Sequence, residues 1–197
     1  MYKLGITGGL GSGKSTAASF LKKKGAIVFD ADEKAKQLLQ SKIVLQNRII
    51  DVLGIKVTRN GILDLKKLSE HVFSKKIYQE RLNKIMWPEV YTLIRSEANK
   101  AVLEDVDLFV VDAALLLEAD LTKYFDSILL ITASKSIRIK RTQKKNNIPD
   151  DQIEKRMILQ MPESEKQKLA STTIENNGVV QDLYLKLEKF YNNLNIG

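Results

Sequence analysis

The 197-residue chain contains no cysteine, so disulfides and thiolate metal sites are excluded and nothing in it asks for an oxidising compartment. It has no apolar run long enough to span a bilayer, and Met1-Tyr2-Lys3-Leu4-Gly5-Ile6 leads straight into an expected core strand rather than a signal-like segment. A cytoplasmic protein, neither secreted nor embedded in a membrane, is the expectation. Aromatic residues are scarce, at 7%, and no stretch interleaves them with Arg and Lys as a base-stacking platform would. The net charge of +8 therefore points to small anionic substrates rather than to nucleic acid. Histidine is limited to His71, expected on the surface or packed, with no part in chemistry.

What the sequence does have is a set of short β-branched or apolar runs, at Lys3 to Thr7, Ala26 to Asp30, Leu108 to Asp112, Ser127 to Thr132 and, more weakly, Thr172 to Glu175. Each has the length of a buried parallel strand. Segments of helical period separate them, such as Ala17, Ala18, Phe20 and Leu21, or Leu65, Leu68 and Val72 after the N-cap candidate Asp64. Strands alternating with helices predict an α/β fold with helices on both faces of a mainly parallel five-stranded sheet. From about Asp64 to Lys100 no strand is expected, only consecutive helices punctuated by Pro88, and the last twenty residues read as an amphipathic helix with Leu183, Leu187 and Phe190 on one stripe.

The strongest local signal is Gly8-Gly9-Leu10-Gly11-Ser12-Gly13-Lys14-Ser15-Thr16, which satisfies GxxxxGK[ST] between an expected strand and an expected helix. Gly8, Gly11 and Gly13 let successive backbone N–H groups, Ser12 among them, line a concave anion nest, and the helix from Lys14 through Thr16 adds its positive end. Lys14 is expected on the β- and γ-phosphates of ATP, with the Ser15 hydroxyl on Mg²⁺. No NKxD base-reading element and no DxxG switch after a later strand accompanies the loop, which argues against a GTPase, and the length argues against a motor or helicase. A small-molecule phosphotransferase remains: a three-layer P-loop kinase.

Such an enzyme needs a base and further cations. Asp30-Ala31-Asp32 stands at the end of the second strand, where ligands meet an α/β sheet, and strand alternation would turn both carboxylates the same way. One of them can take the acceptor's proton; either would also suit the N-cap of a helix from Glu33. Cations are offered by Arg138, Lys140, Arg141, Lys144, Lys145 and Arg156, a run read as a mobile basic lid, although such runs are commonly solvated helix faces. One domain over 1–197 is expected, with core segments near 1–60, 105–135 and 170–197, a helical acceptor region near 61–104 and a lid near 136–169.

With these pieces placed, the chain resembles the dephospho-CoA kinase family from end to end. The carriers, in order, are Thr7 to Ser15, Asp30 to Asp32, Gly61-Ile62-Leu63-Asp64, Val72-Phe73, Leu82-Asn83-Lys84-Ile85 with Pro88, Leu115-Leu116-Leu117-Glu118, Arg156 through Gln160-Met161-Pro162 to Lys166, and Ile174-Glu175-Asn176-Asn177-Gly178. The resemblance implies ATP-dependent phosphorylation of the ribose 3′-hydroxyl of dephospho-CoA, the last step of coenzyme A synthesis. It implies Asp32 as general base, Arg141 on the ATP phosphates, Asn176 near the adenine, and Leu115, Leu116 and Glu118 beside the acceptor. Asp112 is implied either as a water-mediated Mg²⁺ ligand or as a strand-end cap. Five positions depart from the family's pattern: Trp87 stands for His, Leu65 for Arg, Ala114 for Pro, Lys145 for Arg and Ser171 for Asp. Trp87 could stack on the acceptor's base, and Lys66 could restore charge. A nucleoside monophosphate kinase and a non-catalytic ATP-binding protein are the alternative readings.

Overall fold

A computed structural model of the chain describes residues 1–146 and 149–196, with every side chain among them except those of residues 145 and 146. Along the chain, β1 (Tyr2–Thr7) is followed by α1 (Lys14–Lys23), β2 (Ile27–Asp30), α2 (Ala31–Ser41) and α3 (Ile43–Leu53). A small hairpin, β3 (Thr58–Arg59) and β4 (Ile62–Leu63), precedes α4 (Leu65–Val72) and α5 (Lys76–Leu103). Then come β5 (Leu108–Asp112), β6 (Ser127–Thr132), α6 (Lys135–Asn146), α7 (Asp150–Ile158), α8 (Glu163–Leu169), β7 (Thr172–Glu175) and α9 (Val180–Asn192).

The five long strands form one sheet in the order β2-β5-β1-β6-β7, with every pairing parallel. Strands buried on both faces must be apolar throughout, and β5 is buried at all five positions. One face is filled by Leu4, Ile6, Val110, Leu129 and Ile131 against Ala17, Ala18 and Leu21 of α1 and Leu183 and Leu187 of α9. The connection leaving β1 runs to β2 on one side of it, and the connection leaving β5 runs to β6 on the other. The two diverge at the carboxyl ends of β1 and β5, which creates the crevice where α/β sheets bind ligands.

The described residues divide into two compact units, 1–30 with 94–197, and 31–93. The second contains α2, α3, the hairpin, α4 and the first part of α5, and its core is Leu45, Ile49, Leu53, Val57, Leu68, Val72, Ile85 and Met86. Within this second unit the apolar stripe of α3 packs with α4 and α5.

Three local expectations are corrected. Pro88 does not interrupt the helix: α5 runs through it for 28 residues, and the Thr92 hydroxyl donates to the Pro88 carbonyl at 2.9 Å. The hairpin was not foreseen; its turn, Asn60-Gly61, has positive φ at both residues (51° and 79°), the mirror-image geometry that short hairpins prefer. And α2 begins at Ala31, not Glu33, so Asp30 closes a strand while Asp32 lies in the first helical turn. The strand alternation expected to align their carboxylates ends between them.

Candidate active site

Gly13 caps α1 with φ 103° and no side-chain cap, and the first turn carries no acidic residue, so the helix start presents its backbone N–H groups to an anion. Space around the loop is closed by its neighbours. A Cβ on Gly13 would collide with the Asn176 amide, and one on Gly11, whose φ is 79°, would collide with the Arg138 carbonyl and lie 2.7 Å from Thr142 Oγ1. Only glycine admits these contacts at positive φ.

Lys14 bonds the carboxylate of Asp112, and the two side chains are only 12% and 3% exposed. Asp112 is the last residue of β5, in register with Ile6 of β1 and Asp30 of β2, so three strands set its position. Ser15 is exposed beside Lys14 at the start of α1, and Thr16 is half-buried behind it. One hydroxyl and one nearby carboxylate form the sparse donor set of an ion held chiefly by its substrate's phosphates and water, and this fits Mg²⁺. Among the described residues no cluster of three or more His, Cys, Asp or Glu forms a cage for a metal.

Asn176, 6% exposed, turns its amide onto the Ser12 carbonyl at 2.8 Å. Arg141 donates to the carbonyls of Asn176 (2.9 Å) and Gly178 (3.3 Å) and to Asn176 Oδ1 (3.4 Å). Together they bracket the phosphate loop to the turn after β7. Gln160 Oε1 accepts from the Leu10 N–H of the loop at 3.0 Å, and the next residue's N–H, Met161, donates to Glu118 Oε1 at 2.9 Å. Glu118 also pairs at 3.1 Å with Lys166, which is fully buried and donates to the Ala114 carbonyl at 3.2 Å. Glu118 therefore ties the segment from Met161 to Lys166 to the segment after β5. Leu116 is 0% exposed, and a Cβ on Gly5 would lie 2.8 Å from its Cδ1, so its side chain packs in the core; Leu115 is half-buried. Arg156 is half-buried, and that desolvation lowers its guanidinium from the ordinary arginine value.

In the helical unit, Asp32 is exposed in the first turn of α2 and Trp87 is half-buried on α5. His71 stacks on Tyr78 with ring centroids 4.1 Å apart, and burial lowers its pKa, which makes it a packed histidine. Gln160 and Lys166 were named from the sequence only as part of a motif of the resemblance, without roles, and Thr142 was not singled out at all.

Residues 2–182 match the family model described as dephospho-CoA kinase. The chain belongs to the dephospho-CoA kinase family. It is 37% identical over 188 residues to the dephospho-CoA kinase of Fusobacterium nucleatum, covering 95% of both chains, and 34% identical over 192 residues to that of Salinibacter ruber, covering 97% of this chain and 96% of the relative. The crystal structure of TT1252 from Thermus thermophilus superposes with a TM-score of 0.81 at 30% identity, covering 98% of this chain and 97% of the other.

The departures from the dephospho-CoA kinase pattern acquire local explanations. Ser171 accepts from the Ile128 N–H and donates its own N–H to the Ile128 carbonyl, both at 2.9 Å, which joins the start of β7 to β6 without a carboxylate. Ala114 keeps its carbonyl available to Lys166 and to the Thr7 hydroxyl, 3.4 Å away. Leu65 packs at the margin of the helical core, an apolar role that arginine would not fill. The side chain of Lys145 lies outside the described residues. Among the described residues no helix is long and apolar enough to cross a membrane.

Proposed function

We propose that the chain transfers the γ-phosphoryl group of ATP to the ribose 3′-hydroxyl of dephospho-CoA, giving coenzyme A and ADP. The observation that carries this reading is the family match over residues 2–182, on a chain whose phosphate loop, Lys14 and Asp112 converge at the crevice of the sheet.

The mechanism follows from those groups. ATP phosphates settle on the N–H groups of Gly8 to Thr16, and the Lys14 ammonium, held beside them by Asp112, stabilises negative charge on the β- and γ-phosphoryl oxygens. The 3′-oxygen attacks the γ-phosphorus as the bond to the β–γ bridging oxygen breaks, and the hydroxyl proton passes to the Asp32 carboxylate. Asp32 is two residues beyond the carboxyl end of β2, whose last residue is in register with Asp112, and its exposure suits it to meet an acceptor. Ser15, with Asp112 through water, would hold Mg²⁺, which when bound neutralises phosphate charge. Arg141 and Asn176 would shape the nucleotide side of the loop, and the family resemblance supports roles for Leu115 and Trp87 in the choice of acceptor. This chemistry suits a cytoplasmic enzyme acting on small molecules.

The test is ADP release with ATP and Mg²⁺, offered dephospho-CoA, AMP or other nucleoside monophosphates, with CoA detected by mass. CoA formed from dephospho-CoA, and no comparable turnover of the monophosphates, is the expected result. ATP binding without turnover of any acceptor would overturn it in favour of a nucleotide-binding protein.

A further inference from the structure

Lid side chains converge on the Gly9–Leu10 stretch of the phosphate loop. Gln160 Oε1 accepts from the Leu10 N–H. Next to it, a Cβ added to Gly9 would collide with Arg138 Nη1 and lie 3.2 Å from Arg138 Cζ and 3.4 Å from Glu163 Oε2, so the guanidinium and the carboxylate both rest on Gly9. Arg138 Nη1 and Glu163 Oε2 are 3.6 Å apart, beyond hydrogen-bond length, and their side chains are 14% and 26% exposed. Arg138 Nε and Glu163 Oε1 are buried with no hydrogen-bond partner. A buried donor and a buried acceptor left unsatisfied in one pair are costly, and a loosely engaged cation on an anion-binding loop calls for another partner.

The Gln160 oxygen thus occupies a backbone N–H, and the Glu163 carboxylate stands 3.6 Å from a guanidinium; both are donors that would receive phosphate oxygens. We propose that Arg138 is a phosphate-contacting residue of the nucleotide site, and that Glu163 competes with the triphosphate for its guanidinium. The forked, permanently charged guanidinium suits two phosphate oxygens where a carboxylate at 3.6 Å satisfies neither side. Nucleotide arrival would exchange Glu163 for phosphate and release the start of α8 from the loop. The proposal rests on the ATP-dependent reading above.

The experiment is calorimetric titration of ATP, without acceptor, into the full chain and into Arg138→Gln, Arg138→Lys and Glu163→Gln, with thermal melts in parallel. Arg138→Gln is expected to weaken ATP binding by about tenfold and Arg138→Lys by less, because charge survives without the fork. Glu163→Gln is expected to tighten it about threefold, since a competing charge is gone while the shape is kept. ATP affinity in Arg138→Gln within about twofold of the parent would make Arg138 a structural brace and overturn the proposal. Unchanged or weaker binding in Glu163→Gln would overturn the competition. Should Arg138→Gln fail to fold, Arg138→Lys and Glu163→Gln decide by the same criteria. Failure of the enzymatic reading is separate: the parent would then make no CoA, whatever these affinities show.

Discussion

In the sheet-bearing unit, polar side chains reach 35 to 164 residues along the sequence to grip loop backbone: Arg141 on Asn176, Glu118 on Met161, Gln160 on Leu10, Asn176 on Ser12. The helical unit 31–93 joins its elements chiefly through Leu45, Ile49, Val57, Leu68 and Val72, with Lys67 on the Thr58 carbonyl and Lys42 on Glu89 as polar additions. Hydrogen bonds fix direction as well as distance, so the first kind of joint can hold a nest of N–H groups to the tolerance that phosphate transfer requires. Apolar contacts ask chiefly for volume and tolerate substitution as long as shape is kept. This contrast gives a reason why Leu65 can stand where the family has arginine: the position belongs to the margin of an apolar core.

The sharpest test of the polar joints is Lys14→Ala, expected to lower kcat/KM for CoA formation by about 10³-fold or more in a steady-state assay. It should also lower stability by about 3 kcal/mol in a urea melt, by removing the cation beside the buried Asp112 carboxylate. Retained turnover would break the assignment of the loop. Asp32→Asn, an exposed change, should cost about 10²- to 10³-fold in kcat while ATP affinity and melting temperature stay at parental values; comparable turnover would remove Asp32 as the base. In the apolar unit, Ile49→Ala should cost about 3 kcal/mol in the same melt, by opening a cavity at a residue with no exposed surface, and leave ATP affinity within about twofold of the parent. A large loss of ATP affinity there would erase the contrast between the units.

The smallest effect is expected at Asp64, which caps α4 by accepting from the N–H groups of Lys66 and Lys67 at 2.9 and 3.0 Å. The Lys67 N–H, with Arg59 and the Lys66 N–H adding to it, holds the Asp64 carboxyl below the ordinary aspartate value. A lowered folded-state pKa means that the carboxylate's contribution is complete above the unfolded value and is lost as the pH falls through the folded one. Asp64→Ala should therefore lower the melting temperature by roughly 2–4 °C near neutral pH, with the difference shrinking once the pH drops below about 3.9. A difference that grew in acid would reverse the sign of this account.

Much of the molecule could be read from its sequence because its signals are local. The runs at Leu108 to Asp112 and Ser127 to Thr132 are strands with the expected limits, α1 starts at Lys14, and Asp64 caps α4, since each depends on periodicity or on a cap a few residues away. Pro88 misled because a missing N–H is only one bond in a 28-residue helix whose Ile85 and Met86 before the proline and Val90, Ile94 and Ala98 after it are buried. The packing of Leu116 and the pairing of Glu118 were not legible, for another reason. Whether an apolar residue in a motif faces a ligand or the core, and whether a carboxylate meets a substrate or a lysine 48 positions later, is decided by tertiary contacts that leave no local pattern. The parallel sheet was legible, while the grips on its loops were not.

The strand order has a consequence for the making of the protein. β1 is the first strand synthesised, yet its neighbours are β5 and β6, and β2 pairs only with β5. No two strands of the sheet can join until residues 108–112 have left the ribosome, whereas the helical cluster draws all its buried residues from the contiguous stretch Leu45 to Met86. Local contacts close early and distant ones wait. During translation the helical unit can therefore settle first, while β1 and the glycine-rich segment behind it remain an unpaired apolar strand and a pliant loop for about a hundred residues, the interval in which a chaperone has most to protect.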